Sequence, residues 1–488
     1  RNYPSPNITW LQDSLPSLNV IYNLDVKFDF ILLSAVWMHI APSDRARGFR
    51  KLSQLLKPNG KLIITLRHGP SPDARSMFSV SRDELNGFAR QQGLIESFAA
   101  EAGTDQLKRD EVSWETVIFT LPDDGSGAFP LLRNIVVNDI KSSTYKLGLL
   151  RSLIRIAEGH PGAVINRSTD SVELPLGLVA FYWIKLYQPL VEKLDLHQNS
   201  NAKRGLGFIT DSGWNAINRL GCEDFQIGDL YLNPHESKAI FIALKDAAQT
   251  IQRMPSKYIT LPNSTEQVFE VESKSIKTPK SILIDQTFLA SMGTFVVPAA
   301  IWDNLTRYSI WIEPAIINEW AHLLLSFKAN QTQHITLQYC LQGLAWRLPE
   351  RSTVRVRKRV NELQKDSEVH CCWSNKRLSS KSDFAVDHCF PFARWPNNDL
   401  WNLLPSNVAI NARKSDKLPS AGKLLSAKDW ISHWWRQAWE ENKTEFFTQA
   451  NLSLPKLHLN NESYEDVFEA MKLQRARLRD IQQLQEWK

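Results

Sequence analysis

Cysteine is scarce in this sequence: five of the 488 residues are cysteine, and no two of them form a Cys-x-x-Cys pair. Without such a pair there is no basis for predicting a structural zinc site. The odd number and scattered positions argue against a disulfide framework, so we expect a reducing compartment and a cytoplasmic protein. The cysteines are Cys222, Cys340, Cys371, Cys372 and Cys389.

Long apolar runs are also absent. No stretch approaches the roughly 20 consecutive apolar residues that a membrane-spanning helix needs. The most apolar run, residues 174–184, is shorter than this and is followed by Lys185. We therefore predict no membrane partner. The length exceeds what one hydrophobic core usually serves, so the chain should form roughly two to four domains.

Acidic residues are sparse in one part of the chain. The net charge is only +6, but residues 351–381 contain nine Lys or Arg residues against three Asp or Glu residues. A second basic cluster lies between Arg413 and Lys428. Such clusters fit contact with a phosphate backbone, and DNA is the predicted partner. For a charge run alone, a solvated surface is the alternative interpretation.

The first 121 residues alternate between strand and helix patterns. Phe28–Leu33 and residues 61–66 have the apolar character of buried strands, and residues 44–56 and 81–91 have the periodicity of amphipathic helices. This alternation indicates an α/β sheet with crossover helices. Residues 122–127 have the composition of a linker.

One segment carries residues suited to phosphodiester hydrolysis. His388 is a suitable base at neutral pH, since the pKa of an unperturbed histidine is about 6.5. The carboxylate of Asp387 and the side-chain oxygen of Asn411 are hard ligands that could hold one Mg²⁺ (or Mn²⁺), which would neutralise charge on the scissile phosphate.

The spacing of this segment predicts a hairpin followed by a helix. Residues 384–386 form one strand with Asp387 at its end, and residues 401–404 form the second. Pro405 can begin the helix, where its missing N–H costs nothing. Lys414 then lies one turn after Asn411 on the same helix face, where it is suited to contact a phosphate.

This segment resembles the ββα-metal HNH endonuclease fold. The pattern is Asp387-His388, an Asn fourteen residues after the His, another Asn nine residues later, and then Lys-Ser-Asp and Pro-Ser. It is closest to the variant of RNA-guided CRISPR effector nucleases and related defence nucleases, in which Asn replaces the final His. The resemblance runs from Cys372 to about Lys428.

The resemblance implies a role for each residue. Asp387 and Asn411 would be metal ligands, His388 the general base, and Asn402 a residue that braces the loop bearing His388. The implied activity is metal-dependent hydrolysis of phosphodiester bonds in DNA. Fusions of this kind are associated with defence against foreign DNA, which suggests the same role for this protein.

A second resemblance lies near the start of the chain. Phe28-Asp-Phe-Ile-Leu-Leu-Ser34 and Leu55-Leu-Lys-Pro-Asn-Gly60 resemble the fourth and fifth strands of class I S-adenosylmethionine-dependent methyltransferases. Asp13-x-Leu-Pro resembles their adenine-contacting turn, and Ser34 would edge the cofactor or substrate pocket. The family's first strand and Gly-rich turn are absent, so we expect an N-terminally truncated copy. S-adenosylmethionine should bind only where the complete domain is present.

Together these patterns predict a multidomain protein of the α/β plus α+β class. Its expected parts are a partial Rossmann-like methyltransferase sheet in 1–121, a mainly helical scaffold or DNA-binding domain in 130–350, an HNH domain in 351–428 and helices in 429–488. Two alternatives stay open: a methyltransferase with a degenerate HNH module, and a non-catalytic DNA-binding protein.

Overall fold

The computed structural model contains two compact units, Arg1–Pro130 and Leu131–Lys488. Helices and small sheets alternate in both units, which confirms the mixed α/β class. In the part of the chain that is described, no helix is both long and apolar enough to cross a bilayer. The structure describes residues 8–71, 75–104, 109, 111–121, 128–200, 206–220, 225–261, 264–346, 350–379, 384–455 and 462–488.

The first unit is built on one twisted sheet. Its described helices and strands are α1 (Asn19–Asn23), β1 (Phe28–Leu33), α2 (Pro42–Gln54), β2 (Leu56–His68), α3 (Arg82–Gln91), β3 (Ile95–Thr104) and β4 (Ser113–Thr120). The strand order is β1-β2-β4-β3. β1 and β2 are parallel and joined through α2, as the alternation predicted, whereas β4 runs antiparallel to both of its neighbours. The expected linker, residues 122–127, lies outside the described residues.

The second unit begins with a helical region that surrounds a small antiparallel sheet of order β5-β6-β10-β8. Its long helix α11 packs against α5, where Glu313 pairs with the buried Arg151. The described elements are α4 (Ala128–Arg133, at the unit boundary), α5 (Tyr145–Gly159), β5 (Asn166–Arg167), β6 (Ser171–Pro175), α6 (Leu176–Gln188), α7 (Trp214–Leu220), β7 (Leu230–Tyr231), α8 (Pro234–Arg253), α9 (Pro255–Tyr258), β8 (Glu270–Ser273), β9 (Ile282–Leu283), α10 (Gln286–Ser291), β10 (Gly293–Pro298), α11 (Ala299–Ser326), α12 (Lys328–Thr332) and α13 (Leu337–Leu344).

His160, at the end of α5, should make stability depend on pH. Its Nε2 lies 2.6 Å from the Tyr182 hydroxyl, and burial lowers the pKa of His160 to about 4. As the pH falls, His160 therefore takes up a proton near pH 6.5 in the unfolded chain but only near pH 4 in the folded chain. We expect this residue to lower the free energy of unfolding by about 3 kcal/mol as the pH falls through that window.

Urea denaturation of the wild type and His160→Gln at several pH values measures this contribution. Because glutamine does not titrate, the stability difference between the two proteins should shrink on acidification. Parallel curves would show that His160 is not buried in its neutral form.

The rest of the second unit forms one core around a two-stranded hairpin. The described elements are α14 (Val354–Leu363), β11 (Phe384–His388), β12 (Leu403–Asn407), α15 (Val408–Lys414), β13 (Leu418–Pro419), α16 (Ala421–Ser426), α17 (Lys428–Trp439), α18 (Lys443–Ser453), α19 (Tyr464–Gln482) and β14 (Glu486–Trp487).

The helices that follow residue 428 pack on the core of the hairpin. Trp434 of α17 donates its indole N–H to the carbonyl of Leu403, and Trp435 donates to the carbonyl of Trp401. Apolar residues of α17, α18 and α19 belong to the same buried cluster as the hairpin. The hairpin and one short helix expose too much apolar surface alone, and these helices cover it.

Candidate active site

The hairpin places Asp387 and His388 at the end of β11. β11 and β12 pair antiparallel, with Asp387 opposite Leu404 and His388 opposite Leu403. Chain order is strand, strand, helix, and α15 packs on both strands. The elements therefore follow the sequence-based expectation, although the start of the helix differs.

Pro405 lies within β12 and does not begin the helix. It pairs with Val386, and the helix begins at Val408, where the side chain of Asn407 accepts a hydrogen bond from the N–H of Ala409. Asparagine at this cap supplies the acceptor that the first turn needs. Proline is tolerated in β12 because the strand lies at the edge of a two-stranded sheet, and the Pro405 carbonyl accepts a hydrogen bond from the N–H of Cys372.

Both carboxylate oxygens of Asp387 are hydrogen-bonded. Oδ1 accepts from the ammonium of Lys414 at 2.9 Å, and Oδ2 accepts from the indole N–H of Trp373 at 2.8 Å. Only 3% of Asp387 is exposed. Burial raises the pKa of Asp387, and the adjacent Lys414 charge opposes that rise.

The structure buries Lys414, for which the sequence predicted a phosphate contact. The residue is fully buried, and its ammonium donates to Asp387 and, at 2.7 Å, to the backbone carbonyl of His388. A buried ammonium is stable only when paired and hydrogen-bonded, which explains why it faces the strands and not solvent. It cannot contact a phosphate in this arrangement.

His388 is held in one tautomer. Its Nε2 lies 3.1 Å from Oδ1 of Asn398. The orientation of that amide is fixed, because its oxygen also accepts from the N–H of Ser352 and its nitrogen donates to the carbonyl of Glu350. Nε2 must therefore carry the proton, which leaves a lone pair on Nδ1.

That Nδ1 atom has no hydrogen-bond partner among the described residues. The pKa of His388 is lowered to about 4, mainly by burial; the charges of Arg351 and Lys414 act in the same direction, and the hydrogen bond with Asn398 opposes the shift. The imidazole is therefore neutral at pH 7. The ring of Phe392 lies against it at a centroid distance of 5.1 Å.

Asn402 fastens the chain that follows His388. It is fully buried, its Oδ1 accepts from the N–H of Phe390 at 2.8 Å, and its amide donates to the carbonyl of Asn397 at 3.1 Å. Its own carbonyl accepts from the N–H of Cys389. These bonds tie both ends of the loop after His388 to Asn402, the residue that precedes β12.

Asn411 lies one turn before Lys414 on α15 and is half-buried. The side-chain amide of Asn411 makes no hydrogen bond to any described residue. Lys414, on the same helix, donates a hydrogen bond to Asp387. The described residues contain no group of three or more His, Cys, Asp and Glu that could hold a metal. The two predicted metal ligands thus differ: the Asp387 carboxylate is paired with Lys414, and the Asn411 amide has no side-chain partner among the described residues.

The two residues predicted to contact a cofactor in the first unit, Asp13 and Ser34, have separate surroundings. Asp13 accepts hydrogen bonds from the N–H groups of Ser14 and Ile21, and the Ile21 bond is the main cause of the lowered pKa of Asp13. Ser34 is exposed and follows the last residue of β1. No hydrogen bond joins Asp13 to Ser34 in the structure described.

Comparison with protein families finds three domains along the chain. A methyltransferase domain matches residues 7–64, a domain of unknown function (DUF8808) matches 125–344, and an HNH endonuclease domain matches 371–420. The chain contains an HNH endonuclease domain. It also contains a methyltransferase domain, as the second resemblance predicted. No curated protein matches the chain.

Within the HNH domain, sequence reasoning missed Asn398. The residue stands in the run Asn397-Asn398-Asp399, and nothing in its spacing separates it from a loop residue. Its partners, Ser352 and Glu350, lie almost fifty residues earlier in the chain. The cysteines of the domain are free thiols in the described part, and burial raises the pKa of Cys372 and Cys389.

Proposed function

We propose that the protein is a metal-dependent endonuclease that hydrolyses phosphodiester bonds in DNA through its HNH domain. The observation that carries this proposal is the state of His388. Its protonated Nε2 is engaged by Asn398, its Nδ1 lone pair has no partner among the described residues, and the carboxylate of the preceding residue, Asp387, binds the ammonium of Lys414.

His388 is the proposed general base. Its imidazole is neutral at pH 7 and can accept the proton of the attacking water at Nδ1, although the lowered pKa makes it a weaker base than an unperturbed histidine. The oxygen of Asn398 then stabilises the imidazolium by accepting from Nε2. The same bond holds the ring in place, so Asn398 acts as a positioning residue.

Asp387 and Asn411 fit the role of metal ligands. A carboxylate offers about four acceptor sites, and two of those on Asp387 are used by Lys414 and Trp373. Two sites and the free Asn411 amide are left for Mg²⁺ or Mn²⁺, which prefer oxygen ligands and keep several waters. When bound, the ion would neutralise charge on the scissile phosphate and the leaving oxygen.

The site is closed in this structure. His388 is 2% exposed, so a phosphate and its attacking water reach Nδ1 only after the covering side chains move. Phe392 stands directly against the imidazole and is itself only half-buried. Activity thus requires an opening at this position.

Incubation of supercoiled plasmid with the protein tests the proposal. Nicked or linear product is expected with Mg²⁺ or Mn²⁺ and none with EDTA. Asn411→Ala should raise the metal concentration for half-maximal cleavage by about 10-fold or more, as loss of one metal-site group does elsewhere. Val408→Ala, an exposed and uncharged residue on the same helix α15, is the matched control. Uncut plasmid in metal, with DNA still bound, would instead favour a non-catalytic DNA-binding protein.

Methyl transfer is a second candidate activity. The methyltransferase match at residues 7–64 and the exposed Ser34 after a parallel strand support it, because ligands bind at the carboxyl ends of such strands. Binding of labelled S-adenosylmethionine to the protein would support this candidate, and absence of binding would count against it.

Free thiols on the described cysteines support our placing the protein in the cytoplasm.

A further inference from the structure

Helix α14 divides into a buried face and a basic face. Val356 and Val360 are fully buried in the core of the HNH domain. The opposite side is exposed and carries most of the cations found between residues 351 and 365. This division fixes the helix against the domain and leaves its charges in solvent.

Two of these cations are already neutralised by partners. Arg355 forms an ion pair with Glu445, and Arg359 lies 3.6 Å from both Glu362 and Glu441. Lys358 and Lys365 differ, since neither makes an ion pair or hydrogen bond with any described residue. Their charges are uncompensated.

The uncompensated cations lie along one groove. The groove has a volume of about 490 Å³ and is lined by Val354, Arg357, Lys358, Asn361, Glu362 and Lys365. These positions repeat every three or four residues, so they form one stripe about 16 Å long. Its single acid, Glu362, is the residue that faces Arg359.

The groove starts beside the proposed base. The residues just before α14 hold Asn398, which in turn holds His388: Ser352 donates to its oxygen and Glu350 accepts from its nitrogen. Arg351 is near enough to lower the pKa of His388. Further along, the guanidinium of Arg357 lies 5.5 Å from the ring of Phe384, at the far end of β11. The helix therefore leads away from His388 alongside the hairpin.

We propose that this groove binds the phosphate backbone of duplex DNA on one side of the bond presented to His388. The inference rests on the proposed nuclease function and names the surface that function would use. Lys358, Lys365 and Arg357 supply the charge, and a stripe of this length spans about five phosphates of one strand. Contacts of this kind position the duplex and carry no sequence preference.

Fluorescence anisotropy in EDTA, with a labelled duplex of about 30 base pairs, tests the groove without cleavage. Lys358→Gln/Lys365→Gln should reduce the slope of log affinity against log salt by about 2 and weaken binding about tenfold at moderate salt. Lys358→Arg/Lys365→Arg should keep the wild-type slope, because the charges remain.

The chain offers a matched control. Lys238 and Lys245 are also exposed, unpaired among the described residues and seven positions apart on one helix, α8. Lys238→Gln/Lys245→Gln changes the net charge equally and should leave the slope unchanged. An equal loss in both pairs would overturn the proposal, since net charge alone would then explain binding.

Three further outcomes are decisive. Normal plasmid cleavage with an unchanged slope in Lys358→Gln/Lys365→Gln would overturn the groove and leave the nuclease standing. A wild-type protein that neither binds nor cuts DNA would overturn both. Tighter binding of an RNA duplex, with the same loss of slope, would overturn the assignment to DNA.

Discussion

His388→Ala is expected to lower the rate of plasmid cleavage by about 10²- to 10⁴-fold, because the free Nδ1 lone pair is the proposed acceptor for the proton of the attacking water. The rate should be measured in single-turnover conditions with saturating Mg²⁺. DNA affinity in EDTA should stay within a few-fold of wild type, since the buried imidazole makes no contribution to the exposed basic surface.

Asn398→Ala provides the comparison for this experiment. It removes the bond that orients the imidazole but leaves the base itself, so its rate should fall between those of the wild type and His388→Ala. Cleavage by His388→Ala at the wild-type rate would show that His388 is not the general base. Equal losses in both variants would instead indicate that orientation of the ring limits the reaction.

Lys414→Met is expected to cost about 3–5 kcal/mol of unfolding free energy, because it leaves the Asp387 carboxylate buried without its cation. Urea denaturation at pH 7 measures the loss. The double variant Lys414→Met/Asp387→Leu should recover most of it, since a buried ion pair can be replaced by apolar side chains at little net cost.

Lys417→Met is the control, as this neighbouring lysine is not buried and makes no ion pair among the described residues. Its effect should stay within about 0.5 kcal/mol. A loss of less than 1 kcal/mol of unfolding free energy in Lys414→Met would contradict the buried pair, because it would mean that the Asp387 carboxylate is hydrated without its cation.

The Asp387-His388 hairpin and the helix bearing Asn411 could be predicted because strand and helix periodicities are local properties of sequence. Helix α3 shows the same: it forms where residues 81–91 have the periodicity of an amphipathic helix, and Ser81 caps it by accepting a hydrogen bond from the N–H of Glu84. The parallel pair β1 and β2 also follows from a strand–helix–strand pattern.

The environment of each side chain was harder to predict. Periodicity places Lys414 near Asn411 but does not say whether the far side of that helix meets solvent or the hairpin, and it meets Asp387. The partners of Asn398 come from a segment almost fifty residues away. The insertion of β4 between β2 and β3 likewise depends on long-range pairing that no local pattern encodes.

The pairing of Lys414 with Asp387 has a thermodynamic consequence. The two charges cancel, so a divalent ion approaching this carboxylate from solution is offered no net negative charge by the pair. A phosphodiester would supply the missing anion. Affinity for the ion and affinity for DNA should then rise together, and by linkage each must strengthen the other by the same factor.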